Sequence, residues 1–120
     1  MTGRDYEIVS AEEFARSEGL EDWRVVGGQA CAVFGTRSFA TGLALVNEIG
    51  RMAEEADHHP DLNLRYPLLE VRLATHDTSS LTSADVDLAR RISEAARDLG
   101  VAGDPDAVAD SEIGRAAAAG

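Results

Sequence analysis

Three histidines are the residues of this chain best suited to moving protons, and they are unevenly placed. His58 and His59 are adjacent and lead straight into Pro60, and His76 follows seventeen residues after His59. An imidazole ordinarily titrates near about pH 6.5, so one ring can both give and take a proton in general acid–base chemistry. Adjacent side chains point about 100° apart on a helix, or to opposite faces of a strand. Both members of the pair therefore cannot be core filling, and at least one faces solvent or a cleft. Glu54 and Asp57 lie within a turn of the pair, at a helix end that itself carries partial negative charge, a setting that suits an imidazolium. Taken alone, the pair also fits a plain helix-end role, and His76 fits an exposed strand end. Three converging imidazoles with an open fourth position would instead suit zinc.

The elements that must place these residues can be read from caps and periodicity. Ser10 with Glu13 three places later signals a short N-terminal helix from about Ser10 to Glu18, closed by Gly19. Trp23 to Val26 and Ala30 to Phe34 flank Gly27-Gly28 and predict a hairpin. From Arg37 to about Asp57, Phe39, Leu43, Val46, Ile49 and Ala53 recur at helical spacing. Pro60 cannot continue that helix. Leu62, Leu64 and Tyr66, then Leu69, Val71, Leu73 and Thr75, alternate with polar positions on either side of a turn at Pro67, and His76 closes the second strand. Because the two strands run antiparallel, that strand's end is expected to return beside the histidine pair. Thr82 and Asp85 form a second capping box ahead of the stripe Leu88, Ala89, Ile92, Ala95 and Leu99, which Gly100 ends.

Connections within each strand pair are too short for parallel crossovers, so both pairs are antiparallel. The expected fold is α+β: a two-layer sandwich with a four-stranded antiparallel sheet in the order ββαββα, helices on one face and a short N-terminal helix in front. The other sheet face is expected to be polar or to meet a partner. The expected domain is residues 1–100, with 101–120 a mobile tail too poor in apolar spacing to pack.

Composition narrows the function further. The chain has 120 residues, 44% of them hydrophobic, which suits a single domain with a modest core. Twenty-two acidic against eleven basic residues give a net charge of -11, which disfavours nucleic acid and anionic membrane surfaces as partners. All the basic residues are Arg, so there is no Schiff-base or phosphate-loop lysine. A lone Cys31 forms no intrachain disulfide and is expected to be a small buried hydrophobe. No signal-peptide pattern or membrane-length apolar run occurs, and a cytoplasmic location is expected.

These residues together resemble the pterin-4a-carbinolamine dehydratase family. The resemblance is carried by Glu54-Glu55-Ala56-Asp57-His58-His59-Pro60, by Tyr66 six places after the proline, by Thr75-His76-Asp77, by Leu81 to Asp85 and by Leu88 to Ile92. Trp23 and Phe39 fall where the family keeps aromatic residues, so the resemblance spans roughly Leu20 to Leu99. Tyr66-Pro67-Leu68-Leu69 and Ser79-Ser80 depart from the usual pattern of the family, and the segment after Leu99 has no counterpart.

The resemblance implies dehydration of 4a-hydroxytetrahydrobiopterin, the product of aromatic amino-acid hydroxylases, to quinonoid dihydropterin within tetrahydrobiopterin recycling. It implies no cofactor and no metal. By position, His58 and His76 are the candidates for proton transfer and His59 for binding the pterin. Glu54 would orient His58 or hold it charged, and Asp85 is the matching acidic residue of the last helix. Asp57 to His59 and Ala74 to Asp77, including Thr75, would line the pocket. The family commonly forms dimers or tetramers, so a homodimer is expected, with a functional link to such a hydroxylase. Asp85 equally suits its capping box alone, and Glu54 a solvated helix end. A competing reading is a non-catalytic dimerisation or assembly factor on the same fold, although such a relative would be expected to lose the histidines.

Overall fold

The computed structural model describes residues 7–75 and 80–119. Its first helix, α1 (Ala11–Arg16), starts at the predicted capping box: the Ser10 hydroxyl accepts from Glu13 N–H and the Glu13 carboxylate accepts from Ser10 N–H. The hairpin follows as β1 (Trp23–Val26) and β2 (Gln29–Gly35), joined through Gly27 and Gly28, both at positive φ as a type I′ turn demands. Then come α2 (Phe39–Ala56), β3 (Asp61–Arg65), β4 (Leu68–Leu73) and α3 (Ser83–Asp98). The sheet order is β1-β2-β4-β3, every neighbour antiparallel, with Ala30 opposite Leu73 and Leu62 opposite Val71. This is the expected α+β sandwich.

Alternation along the strands sorts the side chains into two layers. Ala30, Ala32 and Phe34 of β2 join Leu69, Val71 and Leu73 of β4 on the inner face, against Leu45, Ile49 and Met52 of α2 and Leu88, Ala89 and Ile92 of α3. Trp23 is core: its ring stands edge-on to Phe34, and its indole N–H donates to Ser93 Oγ at 3.0 Å. Each fully buried Leu, Ile, Val or Phe contributes about 1.5–3 kcal/mol relative to exposure.

The C-terminal expectation is corrected. Residues after Leu99 form β5 (Ala102–Gly103), a 3₁₀ helix (Pro105–Asp110) and α4 (Glu112–Ala119), and they lie on the outer face of the sheet. Strand β5 pairs with Phe34 and Gly35 of β2, adding a short fifth strand to the sheet. Val108, Ile113 and Ala117 pack on Cys31 and Val33, so that face is neither polar nor open where they lie. The buried Glu70 carboxylate accepts from Asn63 Nδ2 at 3.1 Å and from the Ile113 N–H at 3.2 Å, pinning the start of α4. A carboxylate suits the positive end of a helix, so this contact offsets the burial of Glu70. Two outward apolar residues on β2, rather than a long stripe in the tail, make the segment fold.

Candidate active site

The site lies where the C-terminal end of α2 meets the N-terminal end of α3. Asp57 ends α2 in the left-handed conformation, φ 49° and ψ 47°, which aspartate tolerates better than most residues. The His58 N–H then reaches back to Ala53 O at 3.1 Å, closing the helix end as a Schellman-type turn. The chain reverses here, and the two histidines part.

His58 turns inward. It is 7% exposed, and its Nε2 lies 2.6 Å from Asp85 Oδ1. Asp85 is fully buried, and its Oδ2 accepts from Thr82 N–H at 2.9 Å and from the Thr75 hydroxyl at 2.8 Å. With Oδ2 taken up by two donors and the helix N-terminus beside it, the group acts as a carboxylate, and the His58 Nε2–H donates to Oδ1. The capping box at Thr82 and Asp85 forms as predicted, and the same carboxylate that caps α3 holds an imidazole. The chain's N-terminal segment braces this corner: Val9 N–H donates to Leu81 O and Ser83 N–H to Glu7 O, both at 2.9 Å.

His59 turns outward, and its Nε2 lies 2.6 Å from Glu54 Oε2 in an exposed pair. The expectation that Glu54 orients His58 is therefore corrected: Glu54 serves His59, and Asp85 serves His58. The physical reason is the turn at Asp57, which sends His59 back over the last helical turn and His58 toward α3. Beside them, the Arg91 guanidinium bonds Glu55 at 2.7 Å and holds that carboxyl below the usual range, with Arg51 adding to the effect. This pair ties α3 to α2 next to the site.

Ala74 follows β4 directly, and Thr75 forms an isolated bridge with Ser80. Strand β4 ends at Leu73, two residues before Thr75. The Thr75 side chain, expected to line a substrate pocket, is buried and bonded to Asp85 and Thr82. His76 and Asp77 lie outside the described residues. Tyr66 sits just past the far end of β3, roughly 20 Å of strand away from Pro60 by the usual rise per residue, and is 73% exposed. The hydroxyls of Thr75 and Thr82 are the site residues that motif reading undervalued. Their signal was the threonine beside the third histidine and the threonine cap of α3.

Comparison with known proteins places this geometry in a family. The sequence model described as Pterin 4 alpha carbinolamine dehydratase matches residues 7–95. A candidate pterin-4-alpha-carbinolamine dehydratase of Nocardia farcinica is 38% identical over 92 residues, 76% of this chain and 97% of that protein. One from Aquifex aeolicus is 34% identical over 92 residues, 76% of this chain and 93% of its own length. The crystal structure of a transcriptional coactivator/pterin dehydratase from Brucella melitensis matches with a TM-score of 0.70 at 26% identity, covering 75% of this chain and 99% of that one. The family match stops short of the segment that covers the outer sheet face. With the fold, the histidine pair and the family match in agreement, the chain belongs to the pterin-4a-carbinolamine dehydratase family.

Proposed function

We propose that this protein removes water from 4a-hydroxytetrahydrobiopterin, with its histidines as the proton-transfer groups. The C4a–O bond breaks as the departing hydroxyl takes a proton and leaves as water. N5 gives up its proton, and the electron pair of that bond forms the N5–C4a double bond of the quinonoid product. No net oxidation occurs, so the step needs an acid and a base and no redox cofactor. Each such group typically contributes about 10²- to 10⁴-fold.

The observation that carries this reading is the buried His58–Asp85 pair at the start of α3. A carboxylate bonded to Nε2 fixes the tautomer, makes Nδ1 the basic nitrogen of the neutral ring and stabilises the imidazolium that forms when it takes a proton. His58 and His76 carry the two proton transfers, and His59, backed by Glu54, binds and orients the pterin. Asp57, Ala74 and Asp77 border the ring. The class of reaction that supplies this substrate is hydroxylation by a pterin-dependent aromatic amino-acid hydroxylase, and a reductase consumes the product.

The test is the rate of 4a-hydroxytetrahydropterin dehydration, followed by absorbance, for wild type and for His58→Ala, His59→Ala and His76→Ala, with folding checked by circular dichroism. A fast wild type with folded but slow variants is expected. A folded wild type no faster than buffer overturns the reading.

A further inference from the structure

Thr75 stands between two parts of the site, and no step above uses its side chain. Its backbone N–H donates to Ser80 O at 3.0 Å, holding residues 75 and 80 together, and the next residue in the chain is His76. Its hydroxyl donates to Asp85 Oδ2 at 2.8 Å and lies 2.7 Å from Thr82 Oγ1. Each hydroxyl has one proton, so the direction of the chain follows. The Thr75 proton is committed to Asp85, the Thr82 hydroxyl donates to Thr75 Oγ1, and Thr82 Oγ1 accepts from Ala84 N–H at 3.2 Å. The chain ends on the carboxylate, whose other oxygen faces His58. Thr75, Thr82, Asp85 and His58 are all buried, so bulk water does not readily replace a lost donor here.

We propose that Thr75 is a positioning residue. Its hydroxyl fixes the rotation of the Asp85 carboxylate so that Oδ1 stays on His58 Nε2, and its backbone ties that pair to the segment leading into His76. The β-branched side chain restricts the Thr75 rotamer, so the donor is aimed before substrate arrives. The catalytic consequence rests on the dehydratase reading, whereas the effect on the His58 hydrogen bond does not.

The test compares Thr75→Val, which keeps the shape and removes the hydroxyl, with Thr75→Ser, which keeps the hydroxyl, in the full-length chain. For Thr75→Val, kcat falls by about tenfold while KM changes by less than about twofold, and Thr75→Ser recovers most of the loss. Nitrogen-15 NMR of the imidazole groups supplies a readout independent of turnover. The His58 Nε2–H proton keeps its downfield position in wild type and Thr75→Ser and moves upfield, toward that of a weaker hydrogen bond, in Thr75→Val. A Thr75→Val protein with wild-type kcat and an unchanged signal overturns the proposal. So does a Thr75→Ser protein as impaired as Thr75→Val in both readouts. If the wild type shows no dehydration, the dehydratase reading falls and the signal alone decides: an upfield move in Thr75→Val with the wild-type position in Thr75→Ser upholds the positioning role, and the wild-type position in both overturns it.

Discussion

His58 Nε2 lies 2.6 Å from Asp85 Oδ1, although the two residues are 27 positions apart in the chain. The contact joins the end of α2 to the beginning of α3, and both helix ends are set by specific local chemistry. A left-handed Asp57 turns the chain at one end, and a threonine cap starts it at the other. Asp85 thereby stabilises the fold and orients an imidazole with the same two oxygens. By contrast, the Glu54–His59 pair is exposed on both sides, where attraction is screened by water.

Asp85→Asn and Glu54→Gln should therefore separate sharply. Asp85→Asn removes the carboxylate that fixes the His58 tautomer, and kcat should drop by about 10²-fold or more. The same change weakens the cap and leaves Thr75 and Thr82 with a poorer acceptor, at a cost of about 1–3 kcal/mol in stability. Glu54→Gln should alter the rate by less than about fivefold and leave stability nearly unchanged. Steady-state kinetics and chemical denaturation on both variants check the contrast, and equal effects would contradict it.

The caps and the periodicity made much of this legible in the sequence. Ser10 with Glu13 and Thr82 with Asp85 each act within a few residues and form as local rules require. The helix read over Arg37 to Asp57 forms too, but only part of its stripe faces the core: Ile49 and Ala53 are buried, Phe39 and Leu43 are exposed, and Leu45 and Met52 take the inner positions. The partner of His58 was not legible, because it depends on a reversal at Asp57 that aims two adjacent rings apart. The C-terminal segment was misjudged for a different reason. Its own apolar residues are few, but the unbroken run Ala30-Cys31-Ala32-Val33-Phe34 already suits a strand covered on both faces. The signal for the cover lay in the strand, sixty and more residues before the segment that provides it.

Cys31 reports on that cover. Burial pushes its thiol up to about 11, with Arg72 opposing the rise. A buried, protonated thiol should react slowly with iodoacetamide at pH 8, and quickly after denaturation. Ile113→Asp, which places a charge in the cluster with Val33 and Val108, should speed labelling in buffer. The folded thiol holds its proton more tightly than an unfolded one, whose ordinary value is 9.0. Its contribution to stability is therefore complete below about pH 9 and is lost as the pH rises to about 11. Denaturation midpoints for wild type and Cys31→Ala across that range check the sign: only the wild type should carry this component of the decline.

Gly27 and Gly28 offer a paired test of how closely α4 approaches the hairpin. Both have positive φ, 56° and 76°, so an alanine at either is strained, by about 1–2 kcal/mol. At Gly28 an added Cβ meets nothing within 4 Å, whereas at Gly27 it would stand 2.1 Å from Ala117 O. Gly28→Ala should show the conformational cost alone, and Gly27→Ala should lose distinctly more because the end of α4 must move. Faster Cys31 labelling in Gly27→Ala than in Gly28→Ala is the accompanying expectation, and equal midpoints and labelling rates would argue against the close contact.

Dialysis against EDTA tests the competing three-histidine zinc reading. A zinc site needs imidazole nitrogens to converge on one point, about 2.0–2.1 Å from the ion. His58 and His59 are drawn instead to different carboxylates, Asp85 in the interior and Glu54 on the surface. An ion shared by the two rings would have to be held through their Nδ1 atoms while the Nε2 atoms keep these carboxylates, yet the rings part at Asp57, one into the interior and the other to the surface. The proposed elimination also asks only for protons at the hydroxyl oxygen and at N5, which imidazoles supply and accept. The dehydration rate should therefore be unchanged after chelation. A rate that vanishes with EDTA and returns with added zinc would mean that a metal held through the remaining imidazole nitrogens, and not the imidazoles acting alone, sets the chemistry.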